Sequence, residues 1–172
     1  GSGDFAVNEG VKNLTFDADN QDISLGSYAL DAKGVTDLTI DLGDTANGFF
    51  AGPFGSGTDY VGDLQNVTFT GSGDHDIASA TPSAANDFTA AFFLNEAAAG
   101  SMESINASAL SVNGGAGQNG MFVSITGDVT DTDTSGVTIT GTAANDTITA
   151  GSTDDTIDGG AGADTLTGGA GA

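Results

Sequence analysis

Asp146, Asp155 and Asp164 stand nine residues apart, and a large aliphatic residue, Ile148, Ile157 or Leu166, follows each by two. The cleanest copy, GGAGADTLT over 159–167, places a glycine-rich stretch before the aspartate and one apolar side chain between two threonines. Glycine permits φ > 0 and lets carbonyl oxygens approach one another, while aspartate adds a hard anionic oxygen to the same turn. TLT reads as a three-residue strand with one inward side chain. Such turns, stacked coil on coil, make a column of oxygen ligands of the kind calcium takes. The plainer alternative keeps each aspartate as an Asx-turn acceptor for its own backbone. The copies at 150–158 (AGSTDDTID) and 141–149 (GTAANDTIT) keep aspartate and isoleucine without the full glycine pattern. Asn145 and Asp154, next to the registered aspartates, are further candidate donors.

A second candidate lies at 131–136, DTDTSG, where Asp131, Asp133 and Ser135 present oxygens at positions 1, 3 and 5 before a glycine. That resembles the first half of a DxDxDG calcium loop, but position 12 is Thr142 where a bidentate Glu would stand. DADNQD (17–22) gathers oxygens without the glycine and reads as a solvated acidic loop. Catalysis has little to build on. The chain has no cysteine, no arginine and a single histidine, His75, so a hydrolytic triad or a phosphoryl-transfer site lacks its parts. The cluster Asp74, His75, Asp76 could in principle serve glycoside hydrolysis, but there is no tryptophan and almost no cation to hold a sugar. The expectation is a protein that is not an enzyme.

Composition narrows the partners. Against 24 acidic residues stand only Lys12 and Lys33, for a formal charge of −22. Nucleic acid is set aside as a partner and an unmodified anionic membrane surface is disfavoured, because both need a basic face. No apolar run is long enough for a membrane span. Zero cysteines exclude a disulfide framework and thiolate metal sites, but not secretion. Leu, Ile, Val and Phe number 36, close to the disorder boundary at this charge, so cations that neutralise the acids should favour the compact state.

Strands must position these turns. GVKNLTFD (10–17), GVTDLTID (34–41) and DLQNVTFT (63–70) share one pattern, with SMESINAS (101–108) as a fainter copy. Leu38, Ile40 and Leu42 alternate with Thr39 and Asp41, which is strand periodicity. One such strand per irregular interval, with loops of variable length between, reads as a parallel β-solenoid; an antiparallel sandwich is the alternative. GSGDHDI (71–77) and GGAGQNGMF (114–122) echo the nonapeptide with His75 and Asn119 in the aspartate slot, and read as turns. NDFTAAFFLNEAAAG (86–100) sets Phe88, Ala91 and Phe92 at i, i+3 and i+4, so a short helix is expected near 87–99. Phe49, Phe50 and Phe54 sit in a glycine/proline loop that either tucks onto the core or meets a neighbour. The expected division is irregular solenoid coils over 1–140 and a calcium-binding roll over 141–172. Because the chain opens on GSGDF and stops inside a repeat, it reads as a fragment of a longer protein.

The nonapeptide resembles the glycine- and aspartate-rich repeat of the RTX (repeats-in-toxin) family, G-G-x-G-x-D-x-U-x. That resemblance implies an all-β parallel roll in which successive nonapeptides alternate between two sides, so that turns two repeats apart share a calcium ion. It would bring Asp146 and Asp164 to one ion, with carbonyls near Thr142, Ala144, Gly160 and Gly162, and would leave Asp155 to pair with the 168–172 turn. Over the whole chain, the composition is similar to that of calcium-dependent surface-layer (S-layer) proteins of Gram-negative bacteria. This implies type I export, an extracellular place on the cell surface, and a structural role with copies of itself as partners, cell-surface polysaccharide being a second partner class. A segment of a secreted RTX adhesin, or the export and calcium-binding module of a secreted enzyme, are the alternatives.

Overall fold

The computed structural model describes residues 5–6, 8, 10–17, 23–24, 30–31, 34–41, 43, 50–51, 64–75, 92–94, 102–112, 119–125 and 136–171. Among them there is no helix, and none long and apolar enough to cross a membrane. The longer strands are β2 (Asn13–Asp17), β5 (Asp37–Asp41), β7 (Asn66–His75), β9 (Ser104–Val112), β10 (Asn119–Ile125) and β12 (Asn145–Thr149). Three-residue strands are β8 (Phe92–Leu94), β11 (Thr138–Thr140), β13 (Thr156–Asp158) and β14 (Thr165–Thr167), and two-residue pieces are β1 (Phe5–Ala6), β3 (Ile23–Ser24), β4 (Leu30–Asp31) and β6 (Phe50–Ala51). A six-stranded sheet runs β13-β11-β9-β7-β5-β2 and a four-stranded sheet β14-β12-β10-β8, with β1–β4 and β3–β6 as separate pairs. Every described pairing is parallel, which rules out the antiparallel sandwich for these strands.

The register is the one the sequence pattern predicts. Leu14, Leu38, Val67, Ile105, Ile139 and Ile157 stand in one column across the six-stranded sheet, and Phe16, Ile40 and Phe69 in the next inward one. Leu38, Ile40, Val67, Phe69, Ile105 and Ile139 are buried, while Asp37, Thr39 and Asp41 on the opposite face of β5 are half-exposed. A one-residue slip would turn every one of these apolar side chains outward, so burial locks the register. Each fully buried aliphatic or aromatic side chain contributes about 1.5–3 kcal/mol relative to exposure.

A corner repeats before β5, β7 and β9. The carbonyl of Lys12 accepts the amides of both Thr36 and Asp37 (2.9 and 3.1 Å), Thr36 accepts Gln65 and Asn66 (2.8 and 2.9 Å), and Gln65 accepts Glu103 and Ser104 (2.8 and 3.0 Å). Two successive amides on one acceptor bend the chain as a bulge does. Just before the bend, Val35, Leu64 and Met102 are buried. On the outward side a polar ladder crosses three strands. Ser104 Oγ donates to Asn66 Oδ1 (2.7 Å), Asn66 Nδ2 to Asp37 Oδ1 (3.0 Å), and Thr36 Oγ1 to Asp37 Oδ2 (2.7 Å). The Thr36 hydroxyl first, and the Asn66 amide second, hold the Asp37 carboxyl below its ordinary pKa, against a smaller opposing effect of burial.

Two expectations give way here. The segment near 87–99 is not helical at its centre: Phe92–Leu94 form β8, paired with Val123–Ile125 of β10. Three adjacent large apolar residues suit a strand with a ready partner, and that pairing overrides the local i, i+3, i+4 signal. The rest of that segment lies outside the described residues. The turns expected at 71–77 and 114–122 also differ, since β7 runs through His75 and β10 begins at Asn119. The β7–β9 register shifts between Gly71 and His75, so these glycines accommodate a strand irregularity instead of a reversal.

Candidate metal centre

Over residues 136–171 the chain alternates between the two large sheets: β11 and β13 in one, β12 and β14 in the other. The small polar turns between these strands are too short for anything but a sharp crossing; the inward aliphatics Ile139 and Ile148 are buried beneath, Ile157 is half-buried, and Leu166 in the last strand is exposed. Thr147 lies opposite Thr165 and Ile148 opposite Leu166, so coils of two nonapeptides stack in register. The turn 159–164 therefore sits on 141–146, as expected.

Their facing surfaces are backbone. Gly160 and Gly162 have φ of 83° and 133°, and a Cβ on either would collide with the carbonyl oxygen of Thr142 or Ala144, respectively. Only glycine lets these peptide groups come so close. Two cross-links eighteen residues long tie the turns: the Asp146 amide donates to Asp164 Oδ1 (2.9 Å) and the Ala163 amide to Asn145 Oδ1 (2.7 Å). Thus Thr142, Ala144, Asn145, Asp146, Gly160, Gly162 and Asp164 are brought together. Asp146 is almost completely buried, and both its oxygens accept from Thr142, Oδ2 from the amide (2.8 Å) and Oδ1 from the hydroxyl (2.9 Å).

The other stack holds Asp155. Its Oδ1 accepts the Val137 amide (2.8 Å) and the Thr153 hydroxyl (3.0 Å). Its Oδ2 is buried and has no hydrogen-bond partner among the described residues. A buried carboxylate oxygen left unpaired is costly, and a bound cation is one arrangement that would satisfy it. On the far side, Gly169 and Gly171 approach the Gly151 and Thr153 carbonyls so closely that a Cβ would collide, so 168–171 does stack on 150–155. Asp154 is exposed, and its carbonyl oxygen faces Gly136. Asp131, Asp133 and Ser135 lie outside the described residues. Among the described residues no three His, Cys, Asp or Glu side chains form a metal-sized group, so an ion here would draw on carbonyl oxygens as much as on carboxylates. Gly136, Gly151, Thr153, Gly169 and Gly171 belong to this centre as well, and the eighteen-residue spacing of 136/154, 151/169 and 153/171 was the signal for them.

Two parallel sheets that exchange the chain at each nonapeptide, with glycine/Asx turns stacked on glycine/Asx turns, define a β-roll. Residues 140–172 match the RTX calcium-binding nonapeptide repeat, in four copies. Calcium is the ion of that repeat, and the oxygen-only donors and the unpaired Asp155 Oδ2 fit it. No curated protein and no solved structure matches the chain.

Proposed function

We propose that this chain is a structural segment of a calcium-dependent, self-assembling bacterial surface-layer protein, working outside the cell as a rod that calcium makes rigid. The observation that carries the reading is the unbroken six-stranded sheet. The nonapeptide strand β13 pairs with β11, which lies just ahead of the first repeat, and through it joins the same sheet as the upstream strands β2, β5, β7 and β9, in the same columns. A repeat that only served export of a separate enzyme would have no need to share a sheet with its neighbour. Within the roll, Asp155 and Asp164 would hold calcium together with turn carbonyls such as those of Thr142 and Ala144. The bound ion supplies positive charge that offsets the stacked acids; the chain's own turns orient the oxygens and fix their spacing. No catalytic step is assigned. The partners are copies of the chain, with a cell-surface polysaccharide as a second class.

Electron microscopy of the protein at millimolar calcium and with chelator tests this. Sheets or filaments that appear only with calcium are expected. Isolated rods at every calcium level would favour the adhesin-spacer alternative instead.

A further inference from the structure

Three aspartates occupy the same place in successive nonapeptides, but their surroundings differ. Asp155 keeps one oxygen buried and, among the described residues, unpaired. Asp164 accepts an amide from the coil above and is half-buried. Asp146 is enclosed, with 1% of its surface exposed, and Thr142 beside it is 3% exposed. The Thr142 amide reaches Asp146 Oδ2 at 2.8 Å, the Thr142 hydroxyl reaches Oδ1 at 2.9 Å, and that same hydroxyl oxygen accepts the Ala144 amide at 3.1 Å. The equivalent positions in the next two turns, Gly151 and Gly160, carry no side chain; in the Asp155 turn the Thr153 hydroxyl reaches Oδ1 alone, and no donor reaches Oδ2 among the described residues.

We infer that Thr142 does for the first turn what calcium does for the later ones, so that Asp146 is not a metal ligand and 141–146 closes without the ion. Both carboxylate oxygens already have donors within the turn, and charge-assisted bonds to an enclosed carboxylate are among the stronger ones. A cation on this carboxylate would compete with the Thr142 hydroxyl at Oδ1 and with the Thr142 amide at Oδ2, inside a turn that is almost fully enclosed. The first turn then serves as a preformed seat. Its Thr142 and Ala144 carbonyls face Gly160 and Gly162, so the 159–164 turn folds onto a surface already in place and brings Asp164 to it. Calcium-dependent closure would begin one turn into the repeat. The inference rests on the calcium-held roll proposed above.

Amide hydrogen exchange and calcium counting on the full chain test it. In chelator, the Thr142 and Ala144 amides should exchange at least about tenfold more slowly than those of Gly160 and Ala163; fast exchange of all four, slowed only by calcium, would overturn the inference. Thr142→Val keeps the shape and removes the hydroxyl, and should cancel the chelator-resistant protection of Ala144, with Thr142→Ser restoring it. Calorimetric titration should find the same number of calcium ions bound by Asp146→Asn as by the parent protein, and a loss of one ion would again overturn it. Asp155→Asn should lose one ion. If Asp155→Asn changes nothing while Thr142 stays protected in chelator, the calcium-held roll fails and the Thr142–Asp146 closure stands.

Discussion

Single residues in this chain act through close approach. Gly160 combines φ of 83° with a peptide packed against the Thr142 carbonyl, whereas Gly168 has nothing among the described residues within 4 Å of where a Cβ would lie. Gly160→Ala should therefore cost about 1–3 kcal/mol from backbone strain alone. At roughly 2–4 °C per kcal/mol for a chain of this size, thermal melts should drop by about 2–12 °C, while Gly168→Ala stays near the parent. Asp37 gives a pH effect of defined sign. Its folded pKa lies below the unfolded value of about 3.9, so its contribution is complete above that value and is lost as pH falls through the lower folded one. Melting in chelator from pH 6 downward should show Asp37→Asn losing less stability than the parent below about pH 4. An identical acid dependence in the two proteins would mean that the Thr36 and Asn66 bonds do not form in solution.

At the level of elements, the stability of the upstream coils rests on columns and not on single strands. Ile105 in β9 is fully buried and stands between Val67 of β7 and Ile139 of β11. Ile105→Ala removes the side chain that links the irregular coils to the roll, at a cost of about 2–5 kcal/mol. Denaturant titration in saturating calcium should show the midpoint falling with little change in slope. The strand copies at 10–17, 34–41, 63–70 and 101–108 were legible because alternation and a repeated corner leave a period-two trace in the residues themselves. The segment around Phe92 was not legible. Its helix-like spacing is local, whereas the Val123–Ile125 edge that captures it lies about thirty residues away, and strand preference depends on such partners.

For the molecule as a whole, a charge of −22 sets the problem and calcium the solution. Binding to the folded state alone adds RT ln(1 + [L]/Kd), about 2.7 kcal/mol per site at a hundredfold excess. Circular dichroism should show β-signal rising with calcium and the melting temperature climbing with its concentration; spectra and melts indifferent to chelator would sink the calcium-held roll. Assembly needs an apolar surface in addition to neutralised charge. Phe50 begins β6, which pairs with Ile23–Ser24, and Phe49 lies outside the described residues. Replacing Phe49 and Phe50 by Ser should reduce calcium-induced light scattering and leave the calcium-dependent β-signal intact. A joint loss of both signals would place these rings in the fold and the interface elsewhere.

What the residues determined by themselves is what a repeat carries: the nonapeptide period, the parallel strands of a solenoid, one large aliphatic per copy, and an oxygen-rich, calcium-directed chemistry; the stacking of turns two repeats apart came from the resemblance to the RTX repeat. A repeat states its own geometry, because stacking identical units leaves one register in which apolar positions meet. What only the tertiary structure decided is how neighbours divide the work. Nothing in the spacing of Asp146, Asp155 and Asp164 tells that the first is enclosed by Thr142 while the second keeps an oxygen unpaired. Nor does it tell that β11 and β13 extend the upstream sheet instead of forming a separate one. Those outcomes depend on which side chain lies above or below in the stack and on how completely water is shut out, and both are properties of the assembled coils.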